Sequence, residues 1–171
     1  GPWHELRYPN GHQWETLSMD LAFRIECGEA VDFGDAPDTY GTTLAANGAR
    51  HTIAGPWMGD TGDFPDAELD GQPTAAADGD DTAGSDDEDG VWIATGIELV
   101  RGVATNYNMT VNGGGGVFEL WIDYDRDGVF APTAELVVST NLADGYHVLP
   151  IMAPTNAVEG TSFARCRIST L

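Results

Sequence analysis

Apolar and polar residues alternate with a period of two toward both ends of the chain and lose that periodicity in between. In "VATNYNMTV", Val103, Thr105, Tyr107, Met109 and Val111 fall on one side, against Ala104, Asn106, Asn108 and Thr110. In "VFELWID", Phe118, Leu120 and Ile122 share a face. Such alternation marks strands with one buried face. More short strands are predicted around "AELVVS", "YHVLPI" and "SFARCRI"; in the last, Ala164, Cys166 and Ile168 oppose Arg165 and Arg167. The "NGGGG" at 112–116 reads as a turn. Near the N-terminus, after a turn at Pro9-Asn10-Gly11, Leu21, Phe23, Ile25 and Cys27 line up against Arg24 and Glu26, which predicts one further half-buried strand. No segment carries a convincing helical period. Short strands with glycine-rich turns predict an all-β fold, an antiparallel β-sandwich of Greek-key or jelly-roll type.

Between the patterned ends lies a stretch rich in Asp, Gly, Pro, Ala and Thr. The expected organisation is a strand segment over 1–30, an acidic loop region over 31–90 and the sandwich core over 91–171, with 31–171 forming one domain. A structureless loop of that length is uncommon inside a compact domain, so it is either disordered or organised by metal ions. From Asp32 to Asp89 there are 13 Asp and 2 Glu against the single Arg50, a net charge of -14.

Charge sharpens the picture. The 171 residues include 28 acidic side chains, 7 arginines and no lysine, for a formal charge of -21. Repulsion on that scale opposes a compact state unless cations are bound. It also excludes nucleic acid and anionic membrane as partners, because their phosphates are repelled. No apolar run reaches the roughly 18 residues of a membrane helix, so no membrane insertion is expected.

The sharpest candidate chemistry is "DYDRDGVF", Asp123 to Phe130. Carboxylates at positions 1, 3 and 5, a glycine at 6 for the sharp turn and a carbonyl at 7 form an oxygen cage for calcium. Asp123, Asp125, Asp127, Gly128 and Val129 fill those positions in order. Position 12 is Ala134 and not Glu, and the preceding "VFELWI" is a strand, so this is a calcium loop on a β-scaffold and not an EF-hand. Further acidic clusters are Asp32, Asp35 and Asp38; Asp66, Glu68 and Asp70; and Asp78, Asp80, Asp81, Asp86, Asp87, Glu88 and Asp89. Each is fenced by Gly or Pro, and at least one more calcium ion is expected among them. Magnesium prefers fewer protein ligands, and zinc lacks clustered His or Cys here.

Cys27 and Cys166 are too far apart in sequence for a CxxC site. Both fall on apolar faces, which fits one long-range disulfide and two buried thiols equally well. Paired carboxylates also serve glycoside hydrolysis, but these cluster at ligand spacing, and HExxH, GxSxG and a phosphate-binding loop are all missing. The chain is therefore not expected to be an enzyme. Five tryptophans make a carbohydrate-binding module the main alternative, with surface glycan as partner, and exposure of Trp57 in "GPWMGD" is its best discriminator. Asn108-Met109-Thr110 is also a glycosylation sequon.

The stretches "DFGDAPDTYGT", "GARH", "DGDDTAGSDDEDGV" and "LWIDYDRDGVFAPTAE" resemble the GEVED-type modules of large bacterial surface and secreted proteins. In that resemblance Trp121-Ile122-Asp123 matches the family's strand before its aspartate-glycine turn, and Glu135 its following acidic residue. The resemblance covers roughly residues 32–171 and implies a calcium-dependent β-sandwich module, extracellular or on the cell surface, with a structural or adhesive role. The Gly-Glu-Val-Glu-Asp stretch that names the family would follow the last strand and is not found before Leu171. Residues 3–26 resemble the tail of a preceding module, so the segment 1–30 is expected to be such a tail or a donated strand. An open sheet edge is then expected to accept a strand from a neighbouring module or from another copy, which would build a homopolymeric fibre.

Overall fold

The computed structural model describes residues 10, 29–79, 90–94 and 97–170. It is almost entirely β. The strands are β1 (Val31–Phe33), β2 (Arg50–Thr52), β3 (Trp57–Met58), β4 (Val91–Ile93), β5 (Ala104–Asn112), β6 (Gly116–Ile122), β7 (Leu136–Leu142), β8 (Gly145–Met152) and β9 (Ala164–Ser169). Among the described residues the helical content is two single 3₁₀ turns, Asp38–Tyr40 and Leu44–Ala46.

Two sheets face each other. In the first, β8 pairs antiparallel along β5 from Ala104 to Val111, leaving the other edge of β5 for β4 and β3. Those two lie end to end there: Thr110 donates its N–H to the Gly90 carbonyl and accepts from the Gly59 N–H, at 3.1 and 3.0 Å. The second sheet has the order β7-β6-β9, also antiparallel. The pair β6–β7 is nested in sequence inside the pair β5–β8, the connectivity of a jelly roll.

The core follows the alternation of the sequence. Tyr107, Met109 and Val111 of β5 meet Phe118, Leu120 and Ile122 of β6, with Leu142, Ile151 and Ile168 completing the cluster. Thr105 is buried on the same side of β5, whereas Val103 lies before the strand begins and is exposed. Residues spaced by two stand on one face of a strand, so burying one face of β5 and one of β6 determines both registers.

The acidic region is not featureless. β1 pairs with β2, Val31 bridges to Glu68, and β3 joins the first sheet. This region also lies against the outer face of β9. Arg165 donates to the Tyr40 carbonyl at 3.2 Å and stacks over the Phe130 ring, and Arg167 donates to His51 Nε2 at 3.1 Å. The arginines on the polar side of β9 are thus anchors for the 31–79 segment.

Candidate metal centre

Strand β6 ends by burying Ile122, and the next residue opens the loop to β7. Just before that point the β6–β7 register slips, with Leu120 opposite Val138 but Trp121 opposite Leu136. The extra residue, Val137, is in β7, and a bulge bends its own strand and re-aims the residues beside it, here the start of β7 next to Glu135. Asp123 comes out fully buried, its N–H donating to the Phe163 carbonyl at 3.2 Å.

The loop then wraps around that carboxylate. Asp123 Oδ1 accepts from the N–H of Arg126 at 2.5 Å and of Asp127 at 3.2 Å. Its Oδ2 accepts from the Gly128 N–H at 3.0 Å and from the Tyr40 hydroxyl at 2.6 Å. Successive N–H groups converge because Arg126 and Gly128 take positive φ, 61° and 85°. Glycine adopts that conformation freely; for Arg126 it is uncommon. The Arg126 guanidinium ties the loop to the β8–β9 connection through the Thr161 and Glu159 carbonyls, both at 2.9 Å.

Glu135 closes the loop from the far end. Its Oε1 accepts from the Tyr124 N–H at 3.0 Å and its Oε2 from the Ala131 N–H at 2.7 Å, while its own carbonyl accepts from the Ile122 N–H at 3.1 Å. Asp123, buried Glu135 and exposed Asp125 each offer an oxygen, all within 4.8 Å of one another. Among the described residues this is the one group of three acidic, histidine or cysteine side chains close enough to hold a metal ion.

The electrostatics follow from that crowding. Burial pushes the Asp123 carboxyl up, but the Tyr40 hydroxyl and the N–H groups of Gly128, Arg126 and Asp127 outweigh it, leaving the acid below its ordinary range. Glu135 is pushed up by burial and by repulsion from Asp123 and Asp125, against the pull of the Ala131 and Tyr124 N–H groups. Two carboxylates that repel at short range favour a cation between them.

An ionised carboxylate has about four acceptor positions, so three N–H groups and one hydroxyl fill those of Asp123. A metal ion reaches Asp123 only by displacing a donor, and the Tyr40 hydroxyl, on a side chain and not on the loop backbone, is the one able to turn away. Glu135 and Asp125 retain acceptor positions. Oxygen-only donors, three of them anionic, fit a hard divalent cation.

The other candidates are placed differently. Asp127 stands outside the group of three; its Oδ1 accepts from the Val129 N–H at 3.0 Å, and the Val129 side chain is exposed. In the acidic segment several carboxylates hold backbone or neighbouring side chains. Glu68 accepts from the Phe33 N–H and from Gln72, Asp70 from the Leu44 N–H, Asp78 from the Thr74 hydroxyl and Asp38 from the Thr43 hydroxyl. Asp35 is buried, and Asp32 sits in β1 opposite His51. Asp66 precedes the bridge residue Glu68 and joins no group of three. Asp80, Asp81, Asp86, Asp87, Glu88 and Asp89 lie outside the described residues.

Cys166 carries a free thiol, 3.6 Å from the Tyr107 hydroxyl, and burial pushes it up to about 12. Cys27 lies outside the described residues. Tyr40 is the site residue that sequence reasoning missed. It is 83 positions from Asp123, and only its place within "DFGDAPDTYGT", one of the stretches that carry the family resemblance, pointed toward it.

Residues 117–170, from β6 through β9 and including Asp123, Asp125 and Glu135, match the model of the GEVED domain. No curated protein and no solved structure matches the chain.

Proposed function

We propose that this chain, whose residues 117–170 carry a GEVED domain, is a calcium-stabilised structural or adhesive module that works outside the cell. The observation that carries this reading is the convergence of Asp123, Asp125 and Glu135 at the root of the β6–β7 loop. An ion that displaces the Tyr40 hydroxyl takes over its place at Asp123 and holds the loop with two further carboxylates. Calcium is favoured over magnesium because it accepts irregular oxygen shells, whereas magnesium demands near-octahedral geometry and retains water. Extracellular modules bind calcium at about 10⁻⁴–10⁻³ M. An ion at ten times its Kd then adds about 1.4 kcal/mol per site. The -21 net charge supplies the sign of the linkage, since each bound ion relieves repulsion that opposes folding.

The mechanical part of the proposal is strand addition. Among the described residues β9 pairs only with β6. A cleft of about 390 Å³ runs beside it, lined by Phe33, His51, Met58, Tyr107, Cys166 and Ile168 among others. An extended segment from a neighbouring module or a second copy fits such an edge.

Thermal unfolding of the full chain in calcium, in magnesium and in chelator at fixed ionic strength tests the first part. The expected result is a Tm increase specific to calcium, and equal Tm values in all three sink it. Sedimentation of the calcium-loaded chain over a range of concentrations tests the second. Growth into long species is expected, and a single monomeric species at every concentration removes strand donation between copies.

A further inference from the structure

The outer face of the first sheet has a chemistry unlike the rest of this acidic chain. The register places Ala104, Asn106, Asn108 and Thr110 of β5 outward, beside Met152, Pro150, Val148 and Tyr146 of β8, with Trp92 of β4 opposite Asn108. None of these nine side chains is an Asp, Glu, His, Lys or Arg, in a chain that has 28 acidic residues and 7 arginines. Trp92 is 41% exposed and Tyr146 60%. Of the described tryptophans on strands, Trp92 is the one that projects. Trp57, the position sequence reasoning favoured, is half-buried, its indole N–H donating to the Asp60 carbonyl and its ring set edge-on to Phe64. Trp121 is likewise half-buried and tied to the Pro132 carbonyl.

The two exposed rings are neighbours, and that of Tyr146 is held in place by its hydroxyl. Their centroids are 6.0 Å apart, with 38° between the planes. Asn108 sits between them, its Oδ1 accepting from the Tyr146 hydroxyl at 2.8 Å and its Nδ2 donating to the Trp92 carbonyl at 3.4 Å. Beside Trp92 a shallow hollow is lined by Asp60, Asp63, Gly59, Gly90 and Thr110. The surface therefore combines two adjacent aromatic rings, an amide hub and a pair of carboxylates at the rim.

We infer that the Trp92–Asn108–Tyr146 face binds a neutral polysaccharide. The C–H bonds of a pyranose ring carry slight positive charge and lie favourably on the negative face of an aromatic ring. Sugar hydroxyls donate to carboxylates and amides, and a few placed polar groups beside apolar rings are the usual make-up of a ligand site. The Tyr146 ring, already held by its hydroxyl bond to Asn108, loses little freedom on binding. Charge selects among saccharides: the carboxylates at the rim and the net charge repel uronate, sulfate and phosphate groups, leaving the uncharged polymers. A second copy of the chain is the poorer occupant, because it would bring another 21 negative charges against this rim. The face does not depend on the metal centre, which lies on the other sheet's β6–β7 loop.

The test is native affinity electrophoresis of the full chain through gels containing hydroxyethyl cellulose, galactomannan or alginate, run with calcium present. Retardation is expected in at least one neutral gel and not in alginate, and Trp92→Ala and Tyr146→Ala should each reduce it at least tenfold. Tyr146→Phe keeps the ring, loses the hydroxyl bond to Asn108, and should bind weakly but measurably. Thermal melting of each variant separates lost binding from lost folding. Should Trp92→Ala not fold, Tyr146→Ala, at the more exposed ring, decides the question. Free migration in both neutral gels, retardation by alginate alone, retardation unchanged in the folded alanine variants, or self-association through this face would each overturn the inference.

Discussion

Replacing Tyr40 by phenylalanine isolates the contact between the acidic segment and the β6–β7 loop. The ring stays, so its packing on Phe130 and Phe163, at centroid distances of 4.6 and 5.4 Å, is retained. What disappears is one O–H···O⁻ bond of 2.6 Å to buried Asp123. Hydrogen bonds to charged groups contribute about 1.5–3 kcal/mol, and that is the expected loss in chelator. For a chain of this size it lowers Tm by roughly 3–12 °C. In saturating calcium the outcome differs. There the ion occupies the acceptor position that the hydroxyl vacates, so the substitution should cost less than about half as much. The calcium-induced stabilisation is then larger in the variant than in the parent. Urea unfolding of both proteins, in chelator and in calcium, closes the thermodynamic cycle. Equal losses under the two conditions would refute competition between hydroxyl and ion, and a loss below about 0.5 kcal/mol in chelator would refute the bond itself.

Three further outcomes are expected. Glu135→Gln turns an amide N–H₂ toward one of the two N–H donors that Glu135 now accepts, so it should cost about 1–3 kcal/mol and abolish the calcium response, whereas exposed Asp125→Asn should weaken calcium binding with little change in chelator; calorimetric titration and melting read both. His51 titrates below its ordinary value because burial, and then the neighbouring Arg167, disfavour the imidazolium. Its Nε2 also accepts the Arg167 N–H, which protonation would forbid. A depressed histidine means that the unfolded chain binds more protons in acid, so stability should rise with pH and level off above about 6.5, and His51→Gln should flatten that slope. Gly90→Ala would set a Cβ 2.2 Å from the Met58 carbonyl carbon and the Gly59 nitrogen. Backbone must move at the seam of β3 and β4, and a loss of about 3 kcal/mol or more is expected by denaturant titration, against the ordinary cost of overpacking.

The sequence by itself determined the sandwich. Alternation in 103–111 and 117–122 put Tyr107, Met109, Val111, Phe118, Leu120 and Ile122 in the core, because a strand longer than five residues shows its buried face as a period of two. It also pointed to the candidate metal loop, since Asp123 and Asp125 have the spacing of ligands in a cation-binding turn. Tertiary structure decided the rest. β1, β2 and β3 are two or three residues long, too short to carry a period, and they form by pairing with residues far away in the chain. The pattern assigned Arg165 and Arg167 to a polar face but could not say that Tyr40, His51 and Phe130 would cover it. Counting along the loop ranked Asp127 with Asp123 and Asp125; the fold turns Asp127 back onto the Val129 N–H and brings Glu135 to the site. That exchange is set by the bulge in β7 and by Arg126 in a left-handed conformation, neither of which leaves a mark in the spacing of carboxylates. Local pattern reports what a segment buries; which distant group meets it depends on how the sheets close around one another.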